Sequence, residues 1–127
     1  MTDPCLQALP PTAQKAVELF NEGEYYRSHE EFENAWRDEK GEVRIVYQAI
    51  LQVAVVFLHI GINNYLGAIQ LGEKATAKFE IWQGICQGID LDHIRSHFKL
   101  VLDEVERLGP ERIRDFDRQL FFKIEQR

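Results

Sequence analysis

The segment Tyr25–Trp36 reads YYRSHEEFENAW and places an imidazole, several carboxylates and an indole within about three helical turns. On a helix, His29, Glu33 and Trp36 would lie four and then three positions apart, so they would share one face. A histidine and a glutamate one turn apart can form a hydrogen-bonded pair, bind a metal ion or transfer a proton. The segment therefore predicts a helix that carries a polar site.

Apolar positions at helical spacing, with glycine and proline stops between them, divide the rest of the chain into about five helices. The first would start at a Thr12 cap and end near Gly23. The others are predicted over residues 25–38, 42–61, 64–83 and, from a cap at Asp90 or Asp92, up to the Gly109-Pro110 stop. No segment shows sustained alternation with a period of two residues, and no strands are expected.

The predicted architecture is a single all-α domain over residues 1–127, a helical bundle with short connections. Residues 1–11 are expected to be poorly ordered, and residues 111–127 to form a C-terminal tail or a short helix. The spacing of Gly23, Tyr25, Ser28, Phe32 and Ala35 is typical of a tetratricopeptide hairpin, which predicts that the first two helices pair in this way. No second copy follows at about 34 residues, so a solenoid is not predicted.

Charge and composition exclude several classes of function. The chain of 127 residues has a net charge of -6 and no run of Lys and Arg, which argues against nucleic-acid binding. The N-terminus lacks the pattern of a signal peptide. Cys5 and Cys86 are far apart and outside any CxxC pair, so free thiols in a reducing cytoplasm are expected. The apolar stretch 45–62 contains Gln48, Gln52 and His59, and a membrane span is therefore not predicted.

Those polar residues form a strip along the third helix, which is otherwise apolar nearly all round. Gln48, Gln52, His59 and Asn63 fall within roughly 60° of one another at 3.6 residues per turn. Polar groups on a buried helix cost several kcal/mol unless they find partners. The second helix is the adjacent element, and its polar face is expected to supply them.

The predicted cluster between the second and third helices has eight members: His29, Glu30, Glu33, Trp36, Gln48, Gln52, His59 and Asn64. Three interpretations stay open for it. The groups could form a satisfied hydrogen-bond network, line a small-molecule or metal pocket, or act in catalysis. In the metal interpretation His29, Glu33 and His59 would bind a divalent ion. The segment HExxE lacks the second histidine of zinc peptidases, and no phosphate loop or catalytic triad order is present.

Elsewhere, His93 and His97 lie four positions apart and could chelate a metal ion, although a solvated helix face is the simpler interpretation.

Four motifs follow one another within residues 16–71: FNxGxY from Phe20, HExxExxW from His29, YQAxxQxA from Tyr47, and His59 followed by NxxGA from Asn64. In this order and spacing they resemble the DUF309 family of small helical proteins from bacteria, archaea and plastid lineages. The resemblance implies a helical bundle with the HExxExxW helix beside the Gln and His helix, and no established activity. Asn63 stands where the family usually has glycine, which assigns it to a cap rather than to the polar strip.

Two functions are compatible with these observations. The first is a non-enzymatic cytoplasmic binding protein that self-associates through an exposed apolar helix face. The second is a metal-dependent hydrolase in which Glu30 or Glu33 acts as general base while His29 and His59 hold the metal. Whether the chain is an enzyme is left open by its sequence.

Overall fold

A computed structural model describes residues 3–127, and helices make up most of it. The five helices are α1 (Pro11–Asn21), α2 (Tyr25–Asp38), α3 (Arg44–Gly61), α4 (Tyr65–Ile81) and α5 (Leu91–Arg112). Each helix packs against the next one along the chain, so that α3 lies between α2 and α4. The arrangement confirms the predicted all-α helical bundle.

Prolines set the start of α1. The helix begins at Pro11, and Pro10 before it makes no side-chain capping bond. Proline suits the first helical position because its missing N–H would have no partner there and its φ is already helical. The predicted Thr12 cap is wrong, since Thr12 already lies inside the helix.

The chain reverses in the same way after α1 and after α3. After α1, Gly23 has a φ of 81°, and the N–H of the next residue donates to the carbonyl of Leu19 at 2.9 Å. After α3, Asn63 has a φ of 60°, and the N–H of the next residue donates to the carbonyl of His59 at 2.8 Å. The predicted hairpin α1–α2 is present, and α3–α4 is a second copy at a period of about 40 residues rather than about 34.

Helix α3 is the apolar centre of the fold. Its 18 residues, with a mean hydropathy of 1.5, are long and apolar enough to cross a membrane, and it is the one such helix among the described residues. Within the fold 56% of this window is buried, and buried core helices of water-soluble domains have the same composition.

A small antiparallel hairpin separates α4 from α5. Its strands are β1 (Ile85–Cys86) and β2 (Ile89–Asp90). The turn between them uses Gln87 at a φ of 50° and Gly88 at a φ of 82°, the two positive values that a tight hairpin turn requires. The prediction of no strands is wrong here, because two-residue strands are too short to show alternation.

The two cysteines are joined. Cys5 and Cys86 form a disulfide across 81 positions, so the expectation of two free thiols is wrong. The two cysteines are far apart in sequence but adjacent in space, because the N-terminal segment passes beside β1. That segment includes a short 3₁₀ turn, Pro4–Leu6. The predicted disorder of residues 1–11 falls partly on residues 1–2, which lie outside the described residues, and the cytoplasmic location stays a prediction.

Helix α5 is kinked and then gives way to an extended tail. Gly109, at a φ of 72°, interrupts the helix before Pro110, and one further turn carries it to Arg112. The predicted helix stop at Gly109-Pro110 is therefore an interruption within α5 and not its end. Two 3₁₀ turns follow, Ile113–Asp115 and Arg118–Leu120, and residues 121–127 are neither α-helical nor 3₁₀. These last residues return along α1 towards the β hairpin.

Candidate functional site

His29 and Glu33 lie one turn apart on α2, as the sequence predicts. His29 Nε2 is 3.9 Å from a Glu33 carboxylate oxygen, and Arg37 approaches the other oxygen at 3.5 Å. The second ring nitrogen of His29, Nδ1, lies 2.9 Å from the carbonyl oxygen of Tyr26. A carbonyl can only accept, so Nδ1 carries a proton in this bond. The side chain of Glu33 is 44% exposed, so this is a surface cluster along one helix in which Arg37 is the charged partner of Glu33.

Glu30 and Trp36 take no part in a shared site. Glu30 is exposed to solvent. Trp36 is half-buried, and the guanidinium carbon of Arg44 lies 4.1 Å from the centre of its ring. This cation–π contact connects the last turn of α2 to the first turn of α3.

The polar strip of α3 finds its partner on α4. Gln52 is buried, and its side-chain oxygen accepts a hydrogen bond from Lys78 Nζ at 3.0 Å. Burial and the nearby charge of Lys74 lower the pKa of Lys78. Gln48 is half-buried and makes no side-chain hydrogen bond to any of residues 3–127.

His59 and Asn64 do come together, and they build the turn between α3 and α4. The Asn64 side-chain oxygen caps α4 by accepting from the N–H of Gly67 at 3.0 Å, and Asn64 Nδ2 lies 3.1 Å from His59 Nδ1. An amide NH₂ only donates, so His59 Nδ1 accepts and Nε2 carries the ring proton. A Cβ on Gly67 would lie 2.6 Å from Asn64 Nδ2 and 2.9 Å from His59 Cε1. The motif residues therefore fit one another as a turn.

The predicted network between α2 and α3 is thus replaced by local bonds. Within residues 3–127, no hydrogen bond joins a polar side chain of α2 to Gln48, Gln52 or His59. His29 is instead bonded on its own helix, His59 in its own turn and Gln52 to α4. Sequence spacing gives the face of a helix but not which neighbour that face meets.

The structure brings together two of the three predicted metal ligands, His29 and Glu33. Among residues 3–127 no group of three or more His, Cys, Asp and Glu side chains could hold a metal ion. A divalent metal at His29, Glu33 and His59 therefore stays a prediction, with no assembled ligand set to support it.

His93 and His97 stack on each other on α5. Their ring centres are 4.1 Å apart, and His97 Nδ1 lies 2.9 Å from the His93 carbonyl oxygen. Both are half-buried, with ring centres 6.3 and 5.9 Å from that of Phe122. The C-terminal tail packs against one edge of this helix face, which is therefore only partly solvated.

The same aromatic side chain marks a groove formed by three helices. Phe122 is 8% exposed, and its ring lies 6.1 Å from Phe20 on α1 and 5.4 Å from Phe57 on α3, besides the two histidines on α5. We call this surface of α1, α3 and α5 the tail groove, and residues 121–127 the tail segment. The ring of Phe121 stacks on that of Phe57 with the ring centres 4.1 Å apart, which holds the first residue of the tail segment against α3.

Asn21, at the end of α1, holds the backbone of the tail segment through both atoms of its amide. Its Nδ2 donates to the carbonyl of Ile124 at 3.0 Å, and its Oδ1 accepts from the N–H of Ile124 at 2.7 Å. The bonds involve backbone groups only, so they recognise an extended chain and not a particular side chain. Ile124 itself is buried, whereas Lys123 before it is exposed.

The end of the tail segment pairs with the β hairpin. The N–H of Asp90 donates to the carbonyl of Glu125 at 2.9 Å, and the N–H of Arg127 donates to the carbonyl of Gly88 at 2.7 Å. Arg127 also bonds the Asp90 carboxylate at 3.2 Å. The backbone N–H of His93, and then Arg127, lower the pKa of Asp90. The tail segment thus pairs with the hairpin through a single antiparallel bridge between Ile89 and Gln126.

A second concavity, of about 680 Å³, lies between α4 and α5. Its charged lining includes Lys99, which is paired with Asp103 of its own helix at 2.8 Å. It also includes Arg95, whose Nη1 lies 3.2 Å from the Asp92 carboxylate without forming a hydrogen bond. These surface pairs leave the tail groove as the better candidate.

Sequence reasoning missed the tail groove. Asn21 stood in the FNxGxY motif without a role, and residues 111–127 were expected to be a tail or a short helix. The available signal was the alternation of Phe122, Lys123 and Ile124, which is typical of a half-buried extended segment.

Fold and groove together define a class, namely small α-helical proteins built from two repeated hairpins and a fifth helix, with an extended segment held across one face. The comparison with known families matches residues 13–71 to DUF309, described as a domain of unknown function. The match covers just under half of the chain and confirms the resemblance to DUF309 over that segment. The segment contains most of α1, all of α2 and α3, and part of α4, whereas α5 and the tail segment lie outside it. No curated protein matches the chain.

Proposed function

We propose that this protein is a non-enzymatic interaction protein that binds an extended polypeptide segment in the tail groove. The observation that carries the proposal is the double hydrogen bond between the Asn21 amide and the backbone of Ile124. Helical-hairpin proteins commonly present such a surface to partner chains. In this proposal, a bound partner occupies the tail groove in the same extended conformation as the tail segment.

The contacts of the tail segment suggest what a partner must offer. Two apolar side chains, equivalent to Phe122 and Ile124, would be buried two residues apart, with an exposed residue between them. Backbone pairing with β2 would follow, as when a peptide adds a strand to a sheet edge. Basic residues are favoured, because the tail segment carries Lys123 and Arg127 while the whole chain has a net charge of -6.

The chain's own tail competes with any such partner. A segment attached to the same molecule has a high effective concentration at the groove, on the order of mM for a short flexible connection. A partner must therefore displace it or bind when it is weakened. The tail of a second copy is one such partner, which would make the protein self-associate.

The test uses the full chain with its tail weakened by Ile124→Ala, and a labelled peptide of residues 117–127, DRQLFFKIEQR. Fluorescence anisotropy should show saturable binding to this variant, and weaker binding to the wild type, in which the intact tail competes. Circular dichroism would establish that the variant is folded.

Two modified peptides separate groove binding from non-specific adhesion. N-methylation at Ile124 removes the N–H that bonds Asn21, and affinity should fall about ten-fold, as for loss of one hydrogen bond. N-methylation at Lys123 is the matched control, because its N–H makes no hydrogen bond among residues 3–127. Equal affinities for the two peptides, or no binding to the folded variant, would contradict the proposal.

A further inference from the structure

The β hairpin lies between the two ends of the chain and is bonded to both. On one side it holds the tail segment through the backbone of Gly88 and Asp90. On the other side it holds the N-terminal segment through Cys86 and Gln87. Whatever fixes one side of a two-residue hairpin affects the other, because such a short ladder has little stability of its own.

The N-terminal side depends on Gln87. Its backbone N–H donates to the Cys5 carbonyl at 2.7 Å, and its side chain donates to the Pro4 carbonyl at 3.0 Å. Its side-chain oxygen accepts from the buried Tyr47 hydroxyl at 2.6 Å. The Cys5–Cys86 disulfide adds the covalent connection next to these bonds. The turn residue is thereby attached both to the core and to the N-terminal segment.

We propose that the Cys5–Cys86 disulfide is a redox latch that keeps the tail segment in the tail groove. Reduction frees the N-terminal segment from β1, which loosens the hairpin turn and weakens its pairing with residues 125–127. The tail segment then leaves the groove more often, and the groove opens to a partner. This inference rests on the proposed function of the tail groove and adds its regulation.

The two cysteine residues differ in exposure, which favours one order of the exchange. Cys86 is 1% exposed, whereas Cys5 is half-buried. The thiolate of a dithiol reductant would attack Cys5 Sγ, forming a mixed disulfide and releasing Cys86 as a thiolate that takes up a proton. The second thiol of the reductant then attacks the mixed disulfide and releases the Cys5 thiol. Two electrons pass to the protein, and the reductant becomes a cyclic disulfide.

Amide hydrogen exchange on the full chain tests the latch without a peptide. The amides of Asp90, Ile124 and Arg127 report tail docking, since each donates to the contacts described above. Dithiothreitol should speed their exchange roughly five- to ten-fold, as expected when about one hydrogen bond of stability is lost. Amides in the middle of α3 should change much less, and mass spectrometry would verify that the disulfide is broken.

The double variant Cys5→Ser, Cys86→Ser supplies the matched control. It should show the fast exchange without reductant, and dithiothreitol should change nothing further. Unchanged exchange of the three amides in verified reduced protein would overturn the latch.

The results that would contradict the latch differ from those that would contradict the proposed function. If the tail amides respond to reduction but the peptide of residues 117–127 never binds, the latch stands and partner binding is wrong. If the peptide binds the Ile124→Ala variant equally well before and after reduction, with unchanged tail exchange in the wild type, the groove binds peptides without redox control.

Discussion

The hydroxyl of Tyr47 is buried at the base of the β hairpin. Its ionisation makes the free energy of unfolding depend on pH in the alkaline range. Burial, and then the charge of Glu39, raise the pKa of Tyr47 to about 12 from 10.0. The folded state therefore favours the neutral phenol more than the unfolded chain does. This stabilising contribution is fully present below about pH 10 and is lost as the pH rises towards about 12.

Tyr47→Phe tests this dependence. The variant leaves the buried Gln87 oxygen without its partner, so the free energy of unfolding at pH 7 should fall by about 1–2 kcal/mol. Between pH 10 and 12 the wild type should lose its advantage over the variant, as measured by urea denaturation. Tyr26→Phe, at a residue 60% exposed, is the control and should have little effect at pH 7. A constant difference between wild type and Tyr47→Phe across this pH range would contradict the assignment.

At the same scale, the sequence identified polar residues but not their partners. His29 and Glu33 pair as their spacing predicts, because a helix fixes neighbours one turn apart. Gln52 pairs with Lys78 on α4 rather than with α2. That choice depends on how α3 is rotated against both neighbours, which is decided by the whole core.

The repeated hairpin is the main feature at the scale of elements. In the first turn a glycine adopts the left-handed conformation, and in the second turn Asn63 does so. Asparagine tolerates this conformation better than most residues, which explains how Asn63 can occupy a turn position that suits glycine. The changed residue and the longer period of about 40 residues together hid the second copy from a search for tetratricopeptide spacing.

Gly67→Ala tests the turn between α3 and α4. The new methyl group would lie 2.6 Å from Asn64 Nδ2, so the cap and the Asn64–His59 bond must shift. We expect the free energy of unfolding to fall by about 1–3 kcal/mol despite the better helix propensity of alanine. Urea denaturation would measure the change.

Gly61→Ala is the matched control on the preceding helix. Its methyl group would meet only Arg118 Nη2 at 3.7 Å, an ordinary contact. This variant should be as stable as the wild type or up to about 1 kcal/mol more stable, because alanine favours the helix. Equal effects of the two substitutions would show that the turn does not depend on Gly67.

For the whole molecule, the tail segment is part of the core although it lies outside the matched family segment. Phe122 and Ile124 are 8% and 3% exposed. Phe122→Ala should reduce the free energy of unfolding by about 3–5 kcal/mol, as for other buried phenylalanines. Thermal unfolding followed by circular dichroism would measure the loss.

Leu100→Ala serves as the comparison, since Leu100 is 56% exposed on α5. Its effect should stay within about 0.5 kcal/mol. A loss at Phe122 no larger than this would mean that the tail segment does not contribute to the core in solution.

The sequence by itself determined the helices, the first hairpin and the family, because periodicity, glycine stops and short motifs act over a few turns of chain. Tertiary structure alone decided the disulfide, the β hairpin and the tail groove. Asn21 and Ile124, like Cys5 and Cys86, are distant along the chain and are brought together by the packing of the folded chain. Local pattern specifies which face of a helix is apolar, whereas contacts between distant segments depend on the arrangement of the whole core.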